Sequence, residues 1–83
     1  MRLPKIYLIR QFMNKINSKK LLHSKWTKVI PIDKERHFLI SELKYDDNAI
    51  VSLCLIEAVI SKRQEEIDWK ELKDQSKWIQ GWK

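Results

Sequence analysis

The sequence predicts an α+β domain that is mainly β: a small curled antiparallel sheet of three or four strands, with an N-terminal helix and a short C-terminal helical turn. An SH3-like partial barrel is the nearest architecture by analogy. Three observations predict it. Apolar runs of strand length, "KWTKVI", "HFLISELKY" and "AIVSLCLIEAV", are separated by turn residues. The 83 residues contain one Gly and two Pro, with no linker-like stretch, so a single small domain is expected. Four Trp, two Phe and two Tyr supply bulk that a short chain needs, each aromatic burying roughly 150–250 Å².

The elements are taken in chain order. In residues 5–16, Ile6, Ile9, Phe12, Met13 and Ile16 fall at helical spacing after Pro4, so the segment 1–16 reads as a helical N-terminal extension and 17–83 as one tryptophan-rich domain. In "KWTKVI" Trp26, Lys28 and Ile30 alternate with Lys25, Thr27 and Val29, giving a strand that Pro31 should stop. "PIDKER" reads as a polar loop. "HFLISELKY" is the second strand, with Phe38 and Ile40 on one face and Leu39, Leu43 and Tyr45 on the other. Asp46 to Asn48 form a turn that pairs 37–45 with 49–56, because Asp and Asn side chains bond nearby backbone and tolerate left-handed angles.

The next stretch is harder. Val51, Leu53 and Leu55 share one parity, whereas Ala58 and Ile60 have the other. A bulge near Ile56–Glu57 would reconcile them; a helix across 53–60 is the competing reading. A short fourth strand is expected around Glu66–Ile67. Asp68 then caps a helical turn, with Glu71 three residues on completing a capping box, and Trp69 and Leu72 facing inward. Gly81 should take a positive φ that ends the "SKWIQ" turn. The expected core is Trp26, Phe38, Leu53, Leu55, Trp69, Leu72 and Trp78. Glu57 interrupts an apolar strand, and if it points inward it needs Arg36, Arg63 or an indole N–H as partner.

Composition excludes several classes of function. Cys54 is alone, so no disulfide framework exists, and it lies mid-strand, where a small buried thiol is the usual role. His23, His37 and Cys54 lack paired ligand spacing, so neither a metal site nor a nucleophilic triad is expected, and one Gly cannot build a phosphate loop. No catalytic residue and no cofactor is assigned. The longest apolar run, Ala49 to Ile60, is broken by Ser52 and Glu57 and falls short of the ~20 residues that span a bilayer, so no stable membrane insertion is expected. No signal peptide is read at the start, and a cytoplasmic location is expected.

Charge gives the functional lead. Residues 1–36 carry +8 and residues 37–83 carry −2. Lys15, Lys19, Lys20, Lys25 and Lys28 surround Trp26, and cations beside an exposed ring suit phosphates and stacked bases. The expected function is a non-catalytic module binding RNA or single-stranded DNA through Lys19, Lys20, Lys25, Lys28 and Arg36, with Lys62 and Arg63 as further phosphate contacts. The plainer reading stands beside it: lysine-rich composition from an AT-rich genome, Trp26 in the core, and Lys62–Arg63 paired with Glu65 and Glu66. The alternative function is a protein–protein adaptor using the C-terminal tryptophans or a sheet edge, with Trp82 as anchor. Lys5, Arg10 and Lys15 on the polar side of the expected first helix also fit a membrane-surface helix.

The segments "KKLLHSKWT", "KERHF", "LIEAVISKR", "DWKELKD" and "WIQGW" together resemble a family of small tryptophan-rich proteins of unknown function from cyanobacteria and some proteobacteria. The resemblance covers about Met13 to Trp82. It implies a bacterial, cyanobacterial source and brings no activity, substrate or catalytic residue. Similar proteins begin near the equivalent of Met13, so residues 1–12 stand outside the family pattern.

Overall fold

A computed structural model describes residues 14–83. The elements are five strands, β1 Lys25–Ile32, β2 Glu35–Tyr45, β3 Val51–Ala58, β4 Gln64–Glu66 and β5 Trp78–Gln80, with 3₁₀ turns at Ser18–Lys20 and Trp69–Lys73. They form one antiparallel sheet in the order β4-β3-β2-β1-β5, open between its two outer strands. The helix expected over residues 5–16 lies outside the described residues except for Asn14–Ile16, which are not helical.

Three local features depart from the sequence-based expectations. First, β1 runs through Pro31 to Ile32. Pairing to β5 ends at Lys28↔Trp78, and the β1–β2 register shifts between Thr27 and Ile32, so the N–H that proline lacks falls where the ladder is already irregular. Second, "PIDKER" is a tight hairpin rather than a loop. Ile32 pairs with Glu35, and the two residues between them, Asp33 and Lys34, have φ of 53° and 66°, the sign that a type I′ turn demands at both central positions. Third, "WIQ" is a strand, β5, antiparallel to β1.

β3 itself has no extra residue at Ile56–Glu57; one bulge lies across from Ile56 on β2 and the other nearer the start of β3. Ser41 of β2 is the extra residue between Ile40↔Ile56 and Glu42↔Leu55, and Ser52 of β3 is the extra residue between Lys44↔Leu53 and Tyr45↔Val51. Directly opposed residues share a face. Trp26, Phe38 and Ala58 therefore lie in one row of the core face and Ile40 with Ile56 in the next, while Lys25, Leu39, Glu57 and Gln64 form a row on the second face. The bulge at Ser52 lets odd-numbered Val51 pack toward the same core as even-numbered Cys54, Ile56 and Ala58.

The core is Leu21, Trp26, Phe38, Ile40, Cys54, Ile56, Ala58, Leu72 and Trp78, with Trp69, Ile67, Leu43, Val51 and Ile16 packed against it. Trp78 meets Phe38 edge-on at 5.3 Å, a geometry aromatic quadrupoles favour. Leu53 and Leu55 are not core residues. They are half-buried on the second face, because both parities of β3 are apolar and the even one faces inward. Trp69 is half-buried as well.

Asp68 caps the second 3₁₀ turn, its Oδ1 accepting from Lys70 N at 3.0 Å. Glu71 does not close a capping box; its carboxylate approaches Lys77 Nζ at 4.0 Å. The buried carboxylate is Glu35, not Glu57. Glu57 accepts from Gln64 Nε2 at 2.9 Å. Glu35 is clasped by Arg63, with Nη2 donating at 2.6 Å and Nε at 3.1 Å, and by the Ser61 hydroxyl.

Candidate nucleic-acid interface

The second face of the sheet is crossed by the C-terminal tail. Gly81, at φ 82°, reverses the chain after β5, a left-handed conformation that a Cβ disfavours. Thr27 pins the tail on both sides of the reversal. Its Oγ1 donates to Gly81 O at 2.7 Å and accepts from Lys83 N at 2.8 Å, which buries a threonine that alternation alone would leave facing solvent. Thr27 pairs with His37 on β2, and His37 Nε2 lies 2.9 Å from Lys83 O.

The tail lays Trp82 over this row. Its Nε1 donates to Phe38 O at 2.8 Å, so the indole is held by its polar edge. Lys25 Nζ stands 4.7 Å from the ring centroid and the His37 ring 6.0 Å away, tilted by 36°. Trp82 remains 42% exposed, the most accessible of the tryptophans. An aromatic plate gripped at one edge, with an ammonium over it and an imidazole beside it, offers a π-surface and positive charge together.

The other predicted contacts do not converge on this plate. Lys19 and Lys20 lie on the first 3₁₀ turn, and Lys20 lines a cleft of about 270 Å³ with Lys15, Leu21, Ser24 and Trp26. Trp26 itself is core, its indole N–H donating to Ser24 Oγ at 2.8 Å. Lys28 lies on the core face, its Nζ 5.7 Å from the Trp78 ring and 6.0 Å from that of Phe38. Arg36 is exposed on β2, and Lys62 is exposed in the β3–β4 loop. Arg63 is engaged: besides Glu35 it donates to Glu65 Oε2 at 2.8 Å. Hydrogen bonds to Glu35 and Glu65 push its pKa further up, so its charge is spent within the fold.

Cys54 is buried, and desolvation followed by the charge of Asp68 pushes its thiol up to about 11. Among the described residues no group of three His, Cys, Asp or Glu is placed to hold a metal ion, and no helix is long and apolar enough to cross a membrane. Sequence reasoning missed His37 and the tail as a unit. The signal was the lone Gly between Trp78 and Trp82, which marks a chain reversal that carries Trp82 away from β5.

The tryptophan-rich protein family DUF2389 matches residues 24–83, which takes in all five strands and the tail. The chain belongs to this family. DUF2389 is a family of unknown function. No curated protein and no solved structure matches the chain. The Trp82 plate, with Lys25, Thr27 and His37, lies wholly within the DUF2389 match, whereas Lys15, Lys19 and Lys20 precede it.

Proposed function

We propose that this DUF2389 protein is a non-catalytic cytoplasmic module that binds RNA or single-stranded DNA. The observation that carries the reading is Trp82, half-exposed on the second face of the sheet with Lys25 over its ring and His37 beside it. The bonds at Trp82 Nε1 and Thr27 hold the plate before any ligand arrives, so little side-chain freedom remains to be lost on binding. An incoming base displaces the Lys25 ammonium from the ring and stacks there. The freed ammonium then meets the adjoining phosphate, and Lys83 at the tail extends the cationic track. The strand order, with a 3₁₀ turn before the last strand, supports the analogy to SH3-like partial barrels, an architecture that carries binding modules as well as other functions.

The test is fluorescence anisotropy of labelled oligo(U) and oligo(dT) against NaCl concentration. Affinity should fall steeply with salt. Trp82→Ala should weaken binding by roughly 5- to 150-fold, the equivalent of one stacked base. Lys25→Ala should weaken it less and lower the salt slope by about one phosphate contact. Binding that survives high salt unchanged, or is indifferent to Trp82, would overturn the reading.

One observation favours an adaptor as a second reading. β4 pairs only with Leu55, Ile56 and Glu57, which leaves the outer edge of residues 51–53 beside a groove of about 490 Å³ lined by Ile50, Leu53, Glu66 and Trp69. An extended peptide added to that edge would pair with backbone and seat side chains in the groove. A protein complex that forms in nuclease-treated lysate and is lost on Trp69→Ala, with oligonucleotide affinity absent, would favour it over the first.

A further inference from the structure

Four isoleucines stand out in solvent: Ile30 at 74%, Ile60 at 70%, Ile50 at 61% and Ile32 at 58% exposure. Ile32 and Ile60 gather at one end of the sheet. Ile32 is the last residue of β1 before the Asp33–Lys34 turn, and Ile60 lies in the β3–β4 connection. Glu35, just after that turn, is bonded to Ser61 and Arg63, and Val59 N donates to His37 O at 2.9 Å, so the two tips stand side by side on a braced base.

Cations punctuate the isoleucines. Lys34 and Lys62 sit at the tips, both at positive φ, and Arg36 is exposed just behind. Glu35 and Glu65 are engaged by Arg63, which leaves Asp33, among the described residues, as the tips' unbridged acid.

We infer that these paired tips dock on an anionic lipid surface, Ile32 and Ile60 entering the interface and Lys34, Arg36 and Lys62 meeting the headgroups. Charge complementarity selects an anionic surface, since each Lys or Arg near such a bilayer adds to attraction. Area argues against a protein partner. Ile32 and Ile60 stand at turn tips, and two partly exposed isoleucines cover far less than the roughly 800 Å² that one side of a standard interface buries. Nucleic acid gives no reason for branched aliphatic side chains at the tips. The surface is distinct from the Trp82 plate, so this proposal does not rest on the nucleic-acid reading.

The experiment is flotation of the full chain with vesicles of phosphatidylcholine alone or mixed with phosphatidylglycerol. Wild type should float with the anionic vesicles only. Ile32→Ser with Ile60→Ser should reduce flotation at least tenfold with circular dichroism unchanged, Lys34→Glu with Lys62→Glu should do the same, and Trp82→Ala should have no effect. Absence of flotation, equal flotation with both vesicles, or indifference to the isoleucine pair would overturn the inference. So would a concentration-dependent dimer abolished by the isoleucine pair, which would make the tips a self-association surface. Loss of oligonucleotide binding with vesicle binding retained would sink the nucleic-acid reading and support this one.

Discussion

Glu35 is an instructive single residue. A carboxylate buried to 8% exposure is costly unless its oxygens are fully engaged, and here Arg63 and Ser61 engage both. The Arg63 hydrogen bonds, then that of Ser61, hold its pKa below the ordinary value of 4.5. A depressed folded-state pKa stabilises the protein above the ordinary value, and that stabilisation is lost as pH falls through the lower, folded one. Asp74 adds a weaker effect of the same sign through Ser76, discounted because it is exposed. Thermal melts between pH 6 and pH 3 should show wild type losing stability from about 4.5 downward, with Glu35→Gln less stable at neutral pH and flatter across that window. An unchanged acid limb in the variant would show that Glu35 is not the group responsible. Sequence reasoning raised a buried carboxylate only for Glu57, with Arg36, Arg63 or an indole N–H as its partner, since Glu57 interrupts an apolar run whereas Glu35 sits in an evidently polar one. Only the hairpin after Ile32, turning Glu35 toward Ser61, makes it the inward residue.

At the scale of elements, the β1–β2 hairpin carries a measurable strain. Both central residues are left-handed, yet they are Asp33 and Lys34, and a lysine there meets its own carbonyl through its Cβ. Asn-Gly is the pair that suits such a turn. Asp33→Asn with Lys34→Gly should stabilise the protein by about 1 kcal/mol, read as a higher urea midpoint at constant slope. A lower midpoint would mean that the turn depends on the native side chains. The same hairpin shows where the sequence was opaque. No glycine announces the turn, and Pro31 argues for a boundary that the irregular ladder does not need. β2 and its partner β3 were legible from length, β-branching and the Asp46 turn, whose Oδ1 does accept from Asn48 N and Ile50 N. The faces of β3 were not legible, because Leu53 and Leu55 are as apolar as Cys54 and Ile56, and alternation then carries no sign. β5 was hidden by its brevity: three residues pair only because β1 waits beside them.

The whole molecule must cover both faces of an open sheet with few residues. One face has the 3₁₀ turns and the tryptophan core; the other has the tail. One outer strand, β5, is screened by the entering chain, since Gln80 Nε2 donates to Lys15 O at 2.7 Å and Asn14 Nδ2 to Trp78 O at 2.9 Å. The tail has two roles at once, sealing Thr27 beneath it and displaying Trp82 above. Thr27 couples these roles, because its side chain bonds to the backbone on both sides of Trp82. Thr27→Val preserves shape but removes both bonds and leaves Gly81 O and Lys83 N without that partner, which should cost about 1–3 kcal/mol in urea unfolding. Its distinctive effect should be on the plate. With the strap released, Trp82 should become more accessible to acrylamide, and the affinity for oligo(U) should drop even under conditions where the variant is fully folded, because a ring that must be ordered on binding loses the advantage of being held beforehand. A variant that loses stability but binds oligo(U) as wild type does would separate the strap from the site, and the second face would then be covered by the tail for the sake of the fold alone.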